Sequence, residues 1–203
     1  MTDTFAKNKP RSASTADDGH GSILLRVARS AIERRLGGKP SAAEEEISGE
    51  PDPSLYEPGA SFVTLRLNRA LRGCIGSVKA TTPLLDDVRA NAVAAAVRDP
   101  RFPPVSVEEL PRIRIEVSVL SKPQPIRVDD EESLWAAVRP GIDGLSLRWR
   151  DHRATLLPQV WESLPTAVEF LSCLKHKAGL DSDFWAADIE IETYTVQAWE
   201  EGR

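Results

Sequence analysis

The stretch Leu71-Arg72-Gly73-Cys74-Ile75-Gly76 places an arginine, a thiol and two glycines within six residues. Successive side chains of a β-strand point to opposite faces, so a strand here would put Arg72 and Cys74 on one face and Gly73 and Ile75 on the other. Glycine weakens a strand interior, so two glycines this close together indicate a bulge or the close approach of a ligand or second backbone. We therefore expect this hexapeptide to form part of a site.

The segments on either side of the hexapeptide predict antiparallel sheet structure. Residues 61–67 alternate between apolar and polar side chains and are followed by a short turn at 68–70, which predicts a β-hairpin with the hexapeptide on its second strand. Residues 112–119 alternate most strictly, with Ile113, Ile115 and Val117 on one side. Strict alternation indicates a sheet with one covered face, which is typical of antiparallel α+β folds.

The helices are predicted from apolar stripes and from their end signals. One helix is expected from Ser22 to Gly37, and a second from Thr82-Pro83 to the break at Asp99-Pro100, where proline cannot continue the hydrogen-bond ladder. In the second half we expect three further elements and a last strand, in this order: a helix over 131–138, a hairpin around 145–150, a helix opened by the capping box at 166–169, and a strand over 189–199 with a bulge near Thr193.

The composition is that of a globular protein that carries no large basic surface. The 203 residues are 41% hydrophobic and 28% charged, with a formal net charge of -5, which argues against nucleic acid as a partner. No apolar run approaches the roughly 20 residues of a membrane span, and the polar start lacks a signal-peptide core, so we expect a cytoplasmic protein without a membrane partner. Cys173-x-x-His176 lacks a second ligand pair, so we expect neither a metal nor a cofactor.

Cys74 is the candidate nucleophile, with Arg72 as the cation that could activate it. A nearby positive charge lowers the pKa of a thiol and favours the reactive thiolate. The alternative is that Cys74 is a small buried hydrophobic residue, as free cysteines usually are. Thiol catalysis normally also needs a base, and the chain has only three histidines, none of which the sequence places beside Cys74.

A second group of candidates follows the helix that ends at Asp99. Arg72 and Arg101 could together clamp a carboxylate or phosphate, with Phe102 on the same proline-stiffened loop, because each guanidinium offers a planar fork of donors. The alternative is a salt bridge between Asp99 and an arginine that holds this loop against the sheet. We therefore take residues 71–76, Asp99, Arg101 and Phe102 as the candidate substrate-binding set.

The hexapeptide is also the signature of a known family, and the chain resembles the AMMECR-type domain, called AmmeMemoRadiSam system protein A in prokaryotes. Supporting segments follow the family's order over roughly residues 22–200: Phe62-Val63-Thr64-Leu65, Asp99-Pro100-Arg101-Phe102-Pro103-Pro104, Val117-Ser118-Val119-Leu120, Gly144-Leu145 before Leu157-Pro158-Gln159-Val160, and Lys177-Ala178-Gly179-Leu180. The segment after Trp161 is shorter than in the family and contains Pro165.

The resemblance implies an α+β domain of two sublobes, each built on an antiparallel sheet with helices, with the hexapeptide facing the cleft between them. Together with the proline-rich break at 122–125, it implies a tail over 1–20, a single domain over 21–203, a larger lobe of 21–122 and 184–203, and a smaller inserted lobe of 123–183.

For function, the resemblance implies that the cleft binds a large substrate or protein partner, alongside separate Memo-like and radical S-adenosylmethionine (SAM) proteins. Two alternatives remain open for the hexapeptide. It could contribute to an enzymatic site through Cys74 and Arg72, or it could be a structural part of a non-catalytic adaptor.

Overall fold

The computed structural model describes residues 15–37 and 52–202. Residues 1–14 of the predicted tail and residues 39–51 of the long connection before the first hairpin lie outside this part of the chain. The described helices are α1 (Thr15–Arg35), α2 (Leu84–Val97), α3 (Glu131–Ala137) and α4 (Ala167–Lys177). The described strands are β1 (Pro58–Gly59), β2 (Ser61–Leu67), β3 (Ala70–Gly76), β4 (Thr82–Pro83), β5 (Ile113–Leu120), β6 (Gln124–Ile126), β7 (Gly144–Trp149), β8 (His152–Leu156), β9 (Glu190–Tyr194) and β10 (Val196–Glu200). Short 3-10 turns lie at Pro53–Tyr56, Leu110–Arg112 and Pro158–Glu162.

The first of two four-stranded sheets contains the hexapeptide on its edge strand. Its strand order is β10-β5-β2-β3, and every neighbouring pair is antiparallel. Asn68 and Arg69 make the tight turn of the predicted β2–β3 hairpin, both with positive φ. Helices α1 and α2 cover one face, where their apolar stripes pack on the inward side chains of β2 and β5, such as Leu65 and Ile115. Among the described residues, no helix packs on the other face.

The second sheet has its own core. Its strand order is β6-β9-β7-β8, again with antiparallel neighbours. Leu145, Leu147 and Ile191 pack against the apolar stripe of α4, which the capping box Thr166-x-x-Glu169 opens as predicted. Mixed helices and antiparallel sheets therefore confirm the α+β fold class. A further pair of two-residue strands, β1 and β4, lies beside the first sheet.

Helix α1 differs from its prediction at one end only. It ends where expected, with Gly37 in the left-handed conformation at φ 80°, which glycine adopts without strain. It begins at Thr15 rather than at Ser22, so the last residues of the predicted tail are helical. The polar composition of residues 1–20 predicted a tail, but the side chain of Trp199 packs directly against Gly21. Tertiary packing thus extends the helix through a weak helical sequence.

The predicted last strand over 189–199 is wrong, because it is two strands in different sheets. β9 pairs with β6 and β7 in the second sheet, whereas β10 pairs with β5 in the first, and the chain crosses between them at Thr195. The change of phase near Thr193 therefore marks a crossing between two sheets rather than a bulge in one. The chain leaves the first sheet after β5 and returns to it at Thr195.

Candidate functional site

The hexapeptide strand β3 contains a bulge, as its two glycines suggest. In the pairing with β2, Cys74 lies opposite Thr64, and Gly73 lies opposite Leu65, but Leu71 lies opposite Arg66, the very next residue. Arg72 is thus the extra residue of the strand. The predicted alternation holds from Gly73 to Gly76 and fails at Leu71 and Arg72, so Arg72 does not share the face of Cys74. Leu71 is exposed.

Both glycines of the hexapeptide occupy places that a larger residue could not. A Cβ atom on Gly73 would lie 2.2 Å from the carbonyl oxygen of Ala95, in the middle of α2. A Cβ atom on Gly76 would lie 2.3 Å from the ring of Phe62. The strand and helix α2 therefore approach each other more closely than any side chain at 73 would permit, while Ile75 packs into the core beside them.

Arg72 holds the loop that follows α2. Its Nε and one terminal nitrogen donate to the two carboxylate oxygens of Glu109, at 2.8 and 3.0 Å. The guanidinium also donates to the backbone oxygens of Pro103, at 2.8 Å, and Pro104, at 3.3 Å. The charge of Arg72 and a backbone N–H of Ser106 keep the pKa of Glu109 below its usual value. The guanidinium of Arg72 thus makes four hydrogen bonds within the protein.

Asp99 is the buried acceptor that joins this loop to the strand. Its carboxylate accepts from the backbone N–H of Cys74 at 2.8 Å and from the guanidinium of Arg101 at 2.7 and 3.0 Å. The hydrogen bond from Arg101 is the main reason why the pKa of Asp99 lies well below its usual range. Arg101 in turn donates to the backbone oxygen of Cys74 at 3.2 Å, and its guanidinium lies 5.5 Å from the ring centre of Phe102.

These contacts separate Arg72 from Arg101 rather than joining them in a clamp. Each guanidinium has a carboxylate of its own, Glu109 for Arg72 and Asp99 for Arg101. Arg72 is nearly buried, whereas the Arg101 side chain is 54% exposed. Of the two guanidinium groups, that of Arg101 is therefore the more accessible to an external anion.

Cys74 is half-buried on the uncovered face of the first sheet. The hydroxyl of Thr64 lies 3.4 Å from its sulfur, and the guanidinium of Arg101 donates to its backbone oxygen. Imidazole groups lie elsewhere: His20 contacts Asp52, and His152 contacts the carbonyl of Ala178. The surroundings of the thiol thus contain a cation and a hydroxyl.

A concave feature close to the end of the hexapeptide strand lies between the two sheets. It is a cavity of about 620 Å³, and its walls include residues 78–81, which directly follow β3, and residues 58–60 and 120–123. Its floor is the face of the second sheet opposite that sheet's core, with Ser146, Arg148, Arg153, Thr155, Glu190, Glu192 and Tyr194. No residue of the hexapeptide itself is among the lining residues.

The floor of this cavity was not predicted from the sequence, although its signal is present there. Ser146 and Arg148 are the polar positions of the predicted hairpin, and alternation alone assigns them to solvent. The structure instead turns that polar face towards the end of the first sheet. Arg148 pairs with Glu190, and the hydroxyls of Thr155 and Tyr194 lie 2.8 Å apart.

The described residues contain neither a cluster of metal-binding side chains nor a membrane-spanning helix. Within 15–37 and 52–202, no three His, Cys, Asp or Glu side chains are placed to hold a metal ion together. The helices described over the same ranges are all too short or too polar to cross a lipid bilayer.

Comparison with known proteins places this arrangement among related chains. The family model described as AMMECR1 matches residues 25–199. Protein MJ0810 from Methanocaldococcus jannaschii is 36% identical over 190 residues, which cover 89% of this chain and 90% of that protein. The crystal structure of the uncharacterized protein PH0010 from Pyrococcus horikoshii superposes with a TM-score of 0.71 at 37% identity, covering 89% of this chain and 91% of that one.

Proposed function

The chain belongs to the AMMECR1 family, and on that premise we propose that it binds a protein partner or other large substrate in the cavity between its two sheets. The observation that carries this proposal is the position of the cavity. Both sheets and the segment directly after the hexapeptide line it, so a ligand there would contact both sheets at once. Clefts between structural units are common binding sites.

The chemistry of the lining supports a protein ligand. Apolar walls from Val78, Leu120 and Pro123 face a polar floor that carries Arg153 and Glu192, so both signs of charge are present. Polypeptides combine apolar side chains with charges of both signs and backbone amides, which such a lining can match. A nucleic acid would need a predominantly basic surface.

The contacts of the hexapeptide support a structural role beside this cavity. Gly73 admits helix α2, Arg72 fixes the loop at 103–109, and Asp99 fixes the backbone of Cys74. These contacts make β3 rigid, and β3 in turn positions residues 78–81 at the cavity wall. Ser77 completes the arrangement by donating from its hydroxyl to Asp87 of α2 at 2.7 Å. The adaptor alternative is therefore the one that we carry forward, with the hexapeptide as its structural frame.

The experiment fills the cavity without disturbing the core. Ala80 is exposed and lines the cavity, so Ala80→Trp should block it while leaving the fold intact. Ala90→Trp, at an exposed position on α2 outside the lining, is the matched control. Tagged variants would be tested for binding to Memo-like and radical SAM proteins from the same cell, the partners that the family resemblance implies, and for capture of other proteins.

We expect Ala80→Trp to lose a partner that wild-type protein, Ala90→Trp and Cys74→Ser all retain. Cys74→Ser separates the cavity from the thiol because Cys74 does not line the cavity. Retention of every partner by Ala80→Trp would refute the cavity as the binding site. Loss in Cys74→Ser alone would move the site to the uncovered face of the first sheet.

A further inference from the structure

Four arginines gather at the end of the first sheet that is farthest from the cavity. Arg66, Arg69, Arg112 and Arg114 line an open cavity of about 670 Å³, together with Asn68 and a single carboxylate, Glu200. They surround the tight turn between β2 and β3 and the start of β5. In a chain whose formal net charge is -5, such a concentration of one sign calls for a physical reason.

The central pair consists of Arg66 and Arg114, which lie directly opposite each other on β2 and β5. Side chains at directly opposed positions project from the same face of a sheet with Cβ atoms about 5 Å apart, and like charges there destabilise the pairing. Both arginines are half-buried, so water screens their repulsion incompletely.

Several other arginines of the described chain do have a carboxylate partner. Arg29, Arg72, Arg89, Arg101, Arg139 and Arg148 each form an ion pair with a carboxylate. Among the described residues, Arg66, Arg69 and Arg114 have no such partner, even though Glu116 and Glu200 occupy the same face. Although Glu200 also lines the cavity, none of these three arginines is neutralised by an ion pair within the described residues.

The turn at this end also holds an arginine in an unfavourable conformation. Arg69 has φ 71°, at the second position of a two-residue hairpin turn, where glycine is strongly preferred. A left-handed backbone costs a non-glycine residue free energy. Such strain at a cationic side chain beside two unpaired cations is typical of a ligand site rather than of a surface selected for stability.

We propose that Arg66 and Arg114 bind a phosphate dianion, with Arg69 and Arg112 at its rim. Each guanidinium offers two parallel N–H donors, and a tetrahedral dianion can accept from both forks at once and neutralise both charges. A monocarboxylate can satisfy one fork only. This site is separate from the proposed partner cavity, since β2 spans its seven residues between them, about 20 Å along the strand.

The test measures binding by calorimetry at constant ionic strength, with sodium chloride as the balancing salt. The ligands are inorganic phosphate, phosphoserine as a phosphate monoester, and succinate as a carboxylate dianion of similar charge. We expect phosphate to bind at one site per chain and more tightly than succinate. Arg114→Gln should weaken its binding at least about tenfold, because a bidentate charged contact is lost. The control Arg89→Gln removes an arginine that already has its own carboxylate and should change nothing.

Thermal unfolding supplies the check on folding. In chloride alone, Arg114→Gln should melt at or above the temperature of the wild-type protein, because the like-charge pair is gone. Added phosphate should raise the melting temperature of the wild-type protein only.

Binding of phosphoserine as well as phosphate would show that the site accepts monoesters, and binding of phosphate alone would restrict it to the free ion. Equal binding of phosphate and succinate, or unchanged phosphate binding by Arg114→Gln, would overturn the proposal.

Discussion

At the residue scale, a few positions in and around the hexapeptide determine how closely the elements pack. Gly73 is the clearest of them, because the backbone oxygen of Ala95 occupies the place of its side chain. Arg72 and Asp99 act differently, because their side chains form hydrogen bonds with backbone groups of neighbouring segments. The sequence indicates that these residues are unusual, but the identity of their partners, such as Glu109, depends on how the loop folds back.

Gly73→Ala tests the close approach of β3 and α2. A methyl group 2.2 Å from a backbone oxygen cannot be accommodated unless the helix or the strand moves, so we expect a loss of roughly 2 kcal/mol or more in the free energy of unfolding. The measurement is chemical denaturation by urea, followed by tryptophan fluorescence.

Gly19→Ala is the matched control for that substitution. Gly19 lies in α1 with nothing within 4 Å of an added Cβ, and alanine is the better helix former, so this variant should gain up to about 1 kcal/mol. Equal effects of the two substitutions would show that the contact between Gly73 and Ala95 does not limit packing.

At the element scale, the loop between α2 and β5 is attached to the edge strand by side-chain carboxylates. Asp99 joins the loop to Cys74, and Glu109 joins it to Arg72. The Ser106-x-x-Glu109 spacing is that of a capping box, and Glu109 does accept from the N–H of Ser106 at 2.8 Å. That local pattern could not show the second role of Glu109, because Arg72 is 37 residues away in the chain.

The pH dependence of stability should reveal the Asp99 attachment. The pKa of Asp99 is far lower in the folded protein than in the unfolded chain, chiefly because of Arg101. Its stabilising contribution is therefore complete above the unfolded pKa of about 4 and is lost as the pH falls through the folded pKa. We expect Asp99→Asn to be less stable than the wild-type protein at pH 7, with the difference shrinking from pH 5 towards pH 2.

Urea denaturation across this pH range measures the free energy of unfolding of both proteins. Subtracting one value from the other removes the contributions of titrating groups that both proteins share. Asp86→Asn serves as the control, because Asp86 forms an exposed ion pair with Arg89, and such pairs contribute little. A difference between Asp99→Asn and wild type that stays constant down to pH 2 would contradict the assigned role of the carboxylate.

At the scale of the whole molecule, the two sheets have separate cores. One core joins α1, α2 and the first sheet, and the other joins α3, α4 and the second sheet, without a buried residue in common. The chain passes between them at residues 121–123 and at Thr195. Local unfolding tends to follow such contiguous units, so we expect the two sheets to respond separately to a core mutation.

Leu171→Ala tests this separation. Leu171 is buried in the second core, so its truncation should cost about 2–5 kcal/mol. Hydrogen exchange should show faster opening of β7, β9 and α4, with β2 and β5 still protected. Val168→Ala on the same helix is the control, since Val168 is 65% exposed. Equal loss of protection in both sheets would show that the molecule opens as one unit.

The sequence by itself determined the α+β class, the β2–β3 hairpin, the apolar stripes of α2 and α4, and the irregular glycine-containing strand at 71–76, because periodicity, caps and glycine spacing are local properties. Only the tertiary structure decided that residues 189–199 divide between two sheets, that Arg72 pairs with Glu109 and Arg101 with Asp99, and that Arg66 faces Arg114. Those outcomes depend on which distant segments meet. Strand register and long-range ion pairing are set by packing of the whole chain, and neither leaves a periodic signal in the sequence.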